Sequence, residues 1–280
     1  MKISARKISY NTLAYIALIF FSIIFLAPLL WQLSTALKFR EDVFDTTAGI
    51  IRSFIPTRVR FQNFPDALSR IPFWDYLKNT LIISIIPVCG QVLSSSFAAY
   101  SFTKIPWKGG KILFMVALST MMLPSQVTMI PLYTTWVKLG GINTFWPLIL
   151  PSFFGGAYNI FLMKQFYGTI PASYLDAARI DGAGEFTILT KIMMPLSKPI
   201  ITTISLFTLI GGWNNFDGPL LYLSSDKYTL AIGLQVFSQV NASEYELLMA
   251  AATVFILPLI VIFFVGQKQF ISGIVMTGFK

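Results

Sequence analysis

Six apolar stretches, each of about twenty residues or more, leave this chain few ways to fold. They run at about 13–36, 79–103, 112–133, 145–166, 199–223 and 247–267. No charged residue stands between Lys7 and Lys38, from Asn79 to Thr103, or from Ile112 to Val137. Wound as helix at about 1.5 Å per residue, each stretch can cross a hydrocarbon layer of about 30 Å. The composition agrees: 12% of residues are charged and 55% hydrophobic, against about 25% charged in an average soluble domain. The expected fold is all-α, a polytopic membrane protein with six transmembrane helices in a single domain over residues 1–280. The first run is too long for a signal-peptide core, and no cleavage site follows it.

Charge placement sets the expected orientation. The chain carries a net charge of +9, which reads as Lys and Arg held on the cytoplasmic side by the positive-inside rule, with no call for nucleic acid. Six crossings put both ends on one side. The inside then holds 12 Lys and Arg, among them Lys2, Arg6 and Lys7 before the first run and Lys104, Lys108 and Lys111 in KIPWKGGK. The short outer loops hold only Lys138 and Lys227. The remaining 7 lie in the long first outer loop, 38–76, and at Lys78; that loop has mixed charge, down to Asp45 and Asp75, and long loops obey the rule least. The N- and C-termini are therefore expected in the cytoplasm, with the interval between the fourth and fifth helices. Trp31, Trp74, Trp136 and Trp146 lie near helix ends and read as interfacial anchors. Asp217 falls near the outer surface.

The interval from Pro171 to Pro199 is the polar segment that asks for a purpose. Pro171 is a helix-start signal and Gly182 a helix-stop signal. Between them Tyr174, Ala177, Ala178 and Asp181 adjoin on one face, and the two alanines let another surface approach closely. After Gly184, Phe186, Leu189, Ile192 and Met193 recur at helical spacing, and Pro195 and Pro199 close the segment. By spacing alone, a structural loop helix and a docking helix are equal readings.

Several chemistries are missing. There is no His, which removes the commonest general base and metal ligand. The single cysteine, Cys89, can form no intrachain disulfide and reads as a packing residue. GGK at 109–111 is followed by Ile112 and lacks the upstream glycine of a phosphate-binding loop, so the chain does not read as an ATPase. Its acidic residues lie in loops or near helix ends, whereas proton- or sodium-coupled carriers bury ionisable groups in their spans. No catalytic or metal-binding residue is expected. Candidates for a solute path are Gln126, Asn159, Trp213, Asn214 and Asn215: amides bond sugar hydroxyls and an indole face packs on a pyranose ring. Amides in membrane helices also serve interhelical hydrogen bonding.

LDAARIDGAGEFTILTKIMMP, at 175–195, resembles the cytoplasmic loop of ATP-binding-cassette (ABC) importer permeases, whose pattern reads roughly EAAxxDGAxxxxxFxxIxxP. Asp176, Ala177, Ala178, Asp181, Gly182, Ala183, Phe186 and Pro195 carry the match, with Asp176 where the family usually has Glu. MLPSQVTMIPLY at 122–133, GGINTFWPLILP at 140–151, GGWNNFDGPLLYL at 211–223, PTRVRFQNFPDAL at 56–68 and the FISGIVMTGFK tail resemble the carbohydrate-importer branch, of the maltose-transporter type. The resemblance implies a multi-pass permease subunit in a bacterial inner membrane, with a homologous second permease and two ATPase subunits that bind ATP and Mg. It also implies an extracellular or periplasmic sugar-binding protein. This chain itself needs no cofactor. Tyr174, Asp176, Ala177, Ala178, Asp181, Gly182, Ala183 and Phe186 would dock on the ATPase as a coupling helix, and the tail from Gly273 to Lys280 would also reach it. A permease for another solute, such as a glycerol phosphate, would favour basic groups in the spans. A membrane enzyme would need acids or histidines clustered at the surface.

Overall fold

The computed structural model describes residues 5–44, 49–240 and 244–278. Lys2, Asp45 and the last two residues of the tail, Phe279 and Lys280, lie outside them. Within the described residues the chain is helical, in the order α1 Ala5–Ala36, α2 Gly49–Phe54, α3 Asn63–Ser69, α4 Phe73–Lys104, α5 Gly110–Ser119, α6 Ser125–Lys138 and α7 Trp146–Ile149. Then follow α8 Ala157–Thr169, α9 Ala172–Ile180, α10 Glu185–Leu196, α11 Lys198–Trp213, α12 Asp217–Tyr222, α13 Leu230–Val240 and α14 Tyr245–Gly278. Four segments are long and apolar enough to cross a membrane: Asn11–Ala36, Phe73–Lys104, Trp146–Thr169 and Tyr245–Gln267. Two bent pairs also qualify, Gly110–Met122 with Ser125–Lys138 and Glu185–Leu196 with Lys198–Trp213, making six if each counts as one span. This is a multi-pass, all-helical membrane protein.

The apolar run at 112–133 is not one straight helix. It turns by 100° between α5 and α6. Pro124 has no N–H to donate and drives the residue before it out of the helical region; Leu123 accordingly sits at φ −79°, ψ 120°. The run at 199–223 is also interrupted. It stops at Trp213, and Asn215 Oδ1 accepts the Gly218 N–H at 3.1 Å to start α12. Cys89 is exposed on α4, not packed inside.

The chain divides into two compact units, Met1–Phe73 with Gly233–Leu257, and Trp74–Ile232 with Pro258–Lys280. In the first, buried Asn63 ties the end of α1 to the start of α3, donating to the carbonyls of Ala36 at 2.9 Å and Lys38 at 2.7 Å. Lys38 turns inward and donates to the Ser53 carbonyl at 2.8 Å; burial lowers its pKa. Arg70 reaches Glu244 at 3.2 Å.

In the second unit, α11 crosses α4 closely. A Cβ added to Gly212 would stand 2.8 Å from Ser84 Cα, the small-residue contact by which membrane helices approach. One end is clasped by Asn143, which holds φ 55°. Its N–H donates to the Tyr222 carbonyl, its Oδ1 accepts from Ser224 N–H at 3.1 Å, and its own carbonyl accepts from Lys227 at 2.6 Å. The loops at 138–144 and 224–227 therefore share an end. At another place Lys104 donates to the Ile170 carbonyl at 2.7 Å and Tyr100 to Glu185, so the 104–110 and 170–198 loops also meet.

Candidate functional site

The 170–198 segment is built as two short helices set on one core. Leu175, Ala178, Ile188, Leu189 and Met193 are buried with Ala99 and Tyr100 of α4, Met163, Phe166 and Tyr167 of α8, and Ile200 and Ile204 of α11. Each large apolar side chain buried this way contributes about 1.5–3 kcal/mol. The segment is thus a folded part of the unit and not a free loop. α9 ends in a Schellman motif: the Ala183 N–H bonds the Ala178 carbonyl at 2.9 Å and the Gly182 N–H bonds that of Arg179 at 3.0 Å. The motif needs a left-handed residue after the cap, and Gly182 supplies φ +80°. Gly184 then opens α10, which carries a π-helical turn at Leu189–Met193. α10 meets α11 at 81°.

A polar fastening crosses the turn. Arg179 donates through Nε to Glu185 Oε1 at 3.0 Å and through Nη1 to Asp176 Oδ1 at 3.3 Å. The Tyr100 hydroxyl donates to the other Glu185 oxygen. The Arg179 guanidinium, and after it the Tyr100 hydroxyl, hold the Glu185 carboxyl below the usual carboxylate range. Arg179, Glu185 and Tyr100 were not among the expected site residues. Tyr100 lies 85 positions before Glu185, a pairing that no local pattern carries; the acid six residues after an arginine across a glycine was the available hint.

The expected docking residues fall on two sides. Tyr174, Asp176, Ala177, Asp181, Gly182 and Phe186 are exposed. Ala178 is buried and Ala183 half-buried against the core, so their small size serves internal packing and not an approaching surface. Counted along the loop pattern, the aromatic position falls on Leu189, which is buried; Phe186 is 67% exposed and stacks at its ring on Phe97, centroids 6.1 Å apart. Ile180, not expected at the site, is 87% exposed. It sits across the α9 wheel from Leu175, where an aliphatic residue has no core to enter.

The path candidates are scattered in setting. Gln126 is exposed in the first turn of α6, beyond the Pro124 bend. Trp213 is a core residue, 2% exposed. Asn214 donates to the Ile210 carbonyl at 2.9 Å and Asn215 caps α12, so both are engaged in local turns. Asn159 Oδ1 is buried with no partner among the described residues. No cluster of His, Cys, Asp or Glu able to hold a metal ion occurs among the described residues.

A family model described as binding-protein-dependent transport system inner membrane component matches residues 91–275. The chain belongs to this family. As an inner membrane component of such a system it is a transport subunit, not an enzyme. It is 32% identical over 83% of its length to the arabinooligosaccharides transport system permease protein AraQ of Halalkalibacterium halodurans, covering 84% of that protein. It is also 32% identical to the melibiose/raffinose/stachyose import permease protein MelC of Bacillus subtilis, with 88% of each chain covered. The galactooligosaccharides permease GanQ of the same organism is 31% identical over 90% of this chain and 89% of its own. The fold matches a chain in the crystal structure of a bacterial ABC transporter involved in the import of the acidic polysaccharide alginate, with TM-score 0.82, 24% identity, and 96% and 99% of the two chains covered. The family match spans the fastened helix pair, the bend at Pro124 and the Asn143 clasp. This transport component therefore keeps its exposed helix-pair surface inside the family's shared region.

Proposed function

We propose that this chain is a permease subunit of an ATP-driven sugar or oligosaccharide importer in a bacterial inner membrane, with α9 and α10 as its coupling element. A homologous second permease, two ATPase subunits that bind ATP and Mg, and an external sugar-binding protein complete the assembly. Both termini and the 170–198 segment face the cytoplasm. The observation that carries the coupling role is the exposed face of a rigidly held helix pair: Tyr174, Ala177, Ile180, Asp181 and Phe186 stand outward while the opposite face is locked into the core. An aliphatic side chain as exposed as Ile180, on a helix pair that also exposes Tyr174 and Phe186, suits a hydrophobic cleft on a partner. Closure of that cleft would move α9 and α10 as one piece and pass the motion to α11 and α4.

The sugar assignment is supported by the names of the relatives. Asn159 is the path residue we favour in this chain, since its buried amide oxygen can still accept a hydrogen bond from a donor such as a hydroxyl. The test of the coupling role is affinity capture of the full chain from native membranes. A second permease and an ATPase should come down with it, and Ala177→Trp should lose the ATPase alone while uptake of a labelled oligosaccharide stops. Normal uptake by Ala177→Trp overturns the docking assignment.

A further inference from the structure

A cavity of about 630 Å³ opens between the start of α5, the end of α4 and α8. Lys104, Lys111, Lys164 and Arg179 line it, and no Asp or Glu does. Arg179 already serves Asp176 and Glu185, and Lys104 the Ile170 carbonyl. Lys111 and Lys164 form no ion pair among the described residues; Lys164 Nζ instead lies 4.8 Å from the centre of the Phe114 ring. The indole of Trp107 forms another wall and covers the first residue of α5, so closely that a Cβ on Gly110 would meet its ring at 2.9 Å. Gly110 and Lys111, the first two residues of this ten-residue helix, line the same cavity.

The structure assigns this cavity to a phosphate-bearing anion, and we propose that it is the headgroup of an anionic phospholipid. Lys111 and Lys164, without an ion pair among the described residues and with no carboxylate in the lining, call for a negative ligand. Apolar walls beside the end of a membrane-crossing helix suit an acyl chain leaving the headgroup, and such basic pockets at the cytoplasmic rim take anionic lipid. Because Arg179 lines the cavity and also fastens α9 to α10, a bound headgroup touches the coupling element. The proposal rests on the cytoplasmic placement of this end.

Native mass spectrometry of the purified full chain, titrated with phosphatidylglycerol and with phosphatidylcholine, tests it. Phosphatidylglycerol should bind preferentially. Lys111→Gln combined with Lys164→Gln should weaken that binding about 30-fold, roughly fivefold for each charge near the surface, and leave phosphatidylcholine unchanged. Lys108→Gln, an exposed lysine outside the cavity, should bind as the parent does. An equal loss in Lys108→Gln, or no loss in the double variant, overturns the site. Protection of Lys111 from acylation by inorganic phosphate alone, without selective lipid binding, would overturn the lipid and leave a free phosphate as the ligand. Labelling of Lys108→Cys in a Cys89→Ser background, from either face of sealed vesicles, reads the orientation separately. Labelling from outside would sink the cytoplasmic placement even if lipid binding persisted.

Discussion

Arg179 and Glu185 lie on opposite sides of the Gly182 turn and are joined at 3.0 Å, Nε to Oε1. Both side chains are more than a third exposed, so as an ion pair the contact is worth little. Its effect is geometric: together with the Tyr100 hydroxyl it fixes the angle between two helices that would otherwise hinge at a glycine.

This fastening has a pH dependence of known sign. Glu185 has a lowered pKa in the folded protein, so its contribution is present above the unfolded carboxylate value of about 4.3 and is lost as pH falls through the folded value. Amide protection of residues 172–188, corrected for intrinsic exchange, should be flat from pH 8 to 6 in the Glu185 contribution and decline in acid. Glu185→Gln should remove the acid decline. A parent profile that matches that of Glu185→Gln would remove Glu185 from the fastening.

Gly182 separates two kinds of damage. Gly182→Ala keeps the N–H but forces a Cβ into the left-handed region, at about 1–2 kcal/mol. Gly182→Pro also removes the bond to the Arg179 carbonyl and cannot reach φ +80°. Uptake should fall moderately in the first and vanish in the second, with both chains still inserted in the membrane. Equal, wild-type uptake in both would remove the Schellman turn from the mechanism.

Ala177 and Ala178 are neighbours with opposite fates. Ala178→Trp places an indole in a packed core and should destabilise by about 1–3 kcal/mol or more, seen as a lower melting temperature in detergent. Ala177→Trp should leave that temperature unchanged. The reverse pattern would contradict the orientation of α9.

Asn143 can be tested without strain. Asn143→Gly tolerates φ 55° and keeps the backbone bonds, losing the side-chain acceptor for Ser224 N–H. The expected cost is about 1 kcal/mol, with faster exchange of the Ser224 amide. Unchanged exchange at Ser224 would show that the clasp is backbone alone.

The apolar runs, the helix pair and its break at Gly182 were legible in the sequence because each depends on local composition or on one residue's backbone freedom. The 100° turn at Pro124 was not. Hydropathy counts apolar side chains and is blind to direction, and proline is tolerated inside other helices of this chain, at Pro28, Pro87 and Pro258. The inward side of Ala178 was hidden for another reason: an alanine suits a tight internal contact and a tight external one equally. The role of Tyr100 needs the fold itself, since α4 must first be laid beside α10.

The elbow between α10 and α11 decides what a push on this surface can accomplish. The two helices meet at 81°, and the buried Ser197 at the corner has its N–H shared by the carbonyls of Met193 and Met194, both at 3.0 Å. A thrust along α10 therefore has almost no component along α11 and is delivered as a sideways shove at its foot. The joint works as a bell crank: it cannot drive α11 up and down through the bilayer like a piston, and it can only tip it.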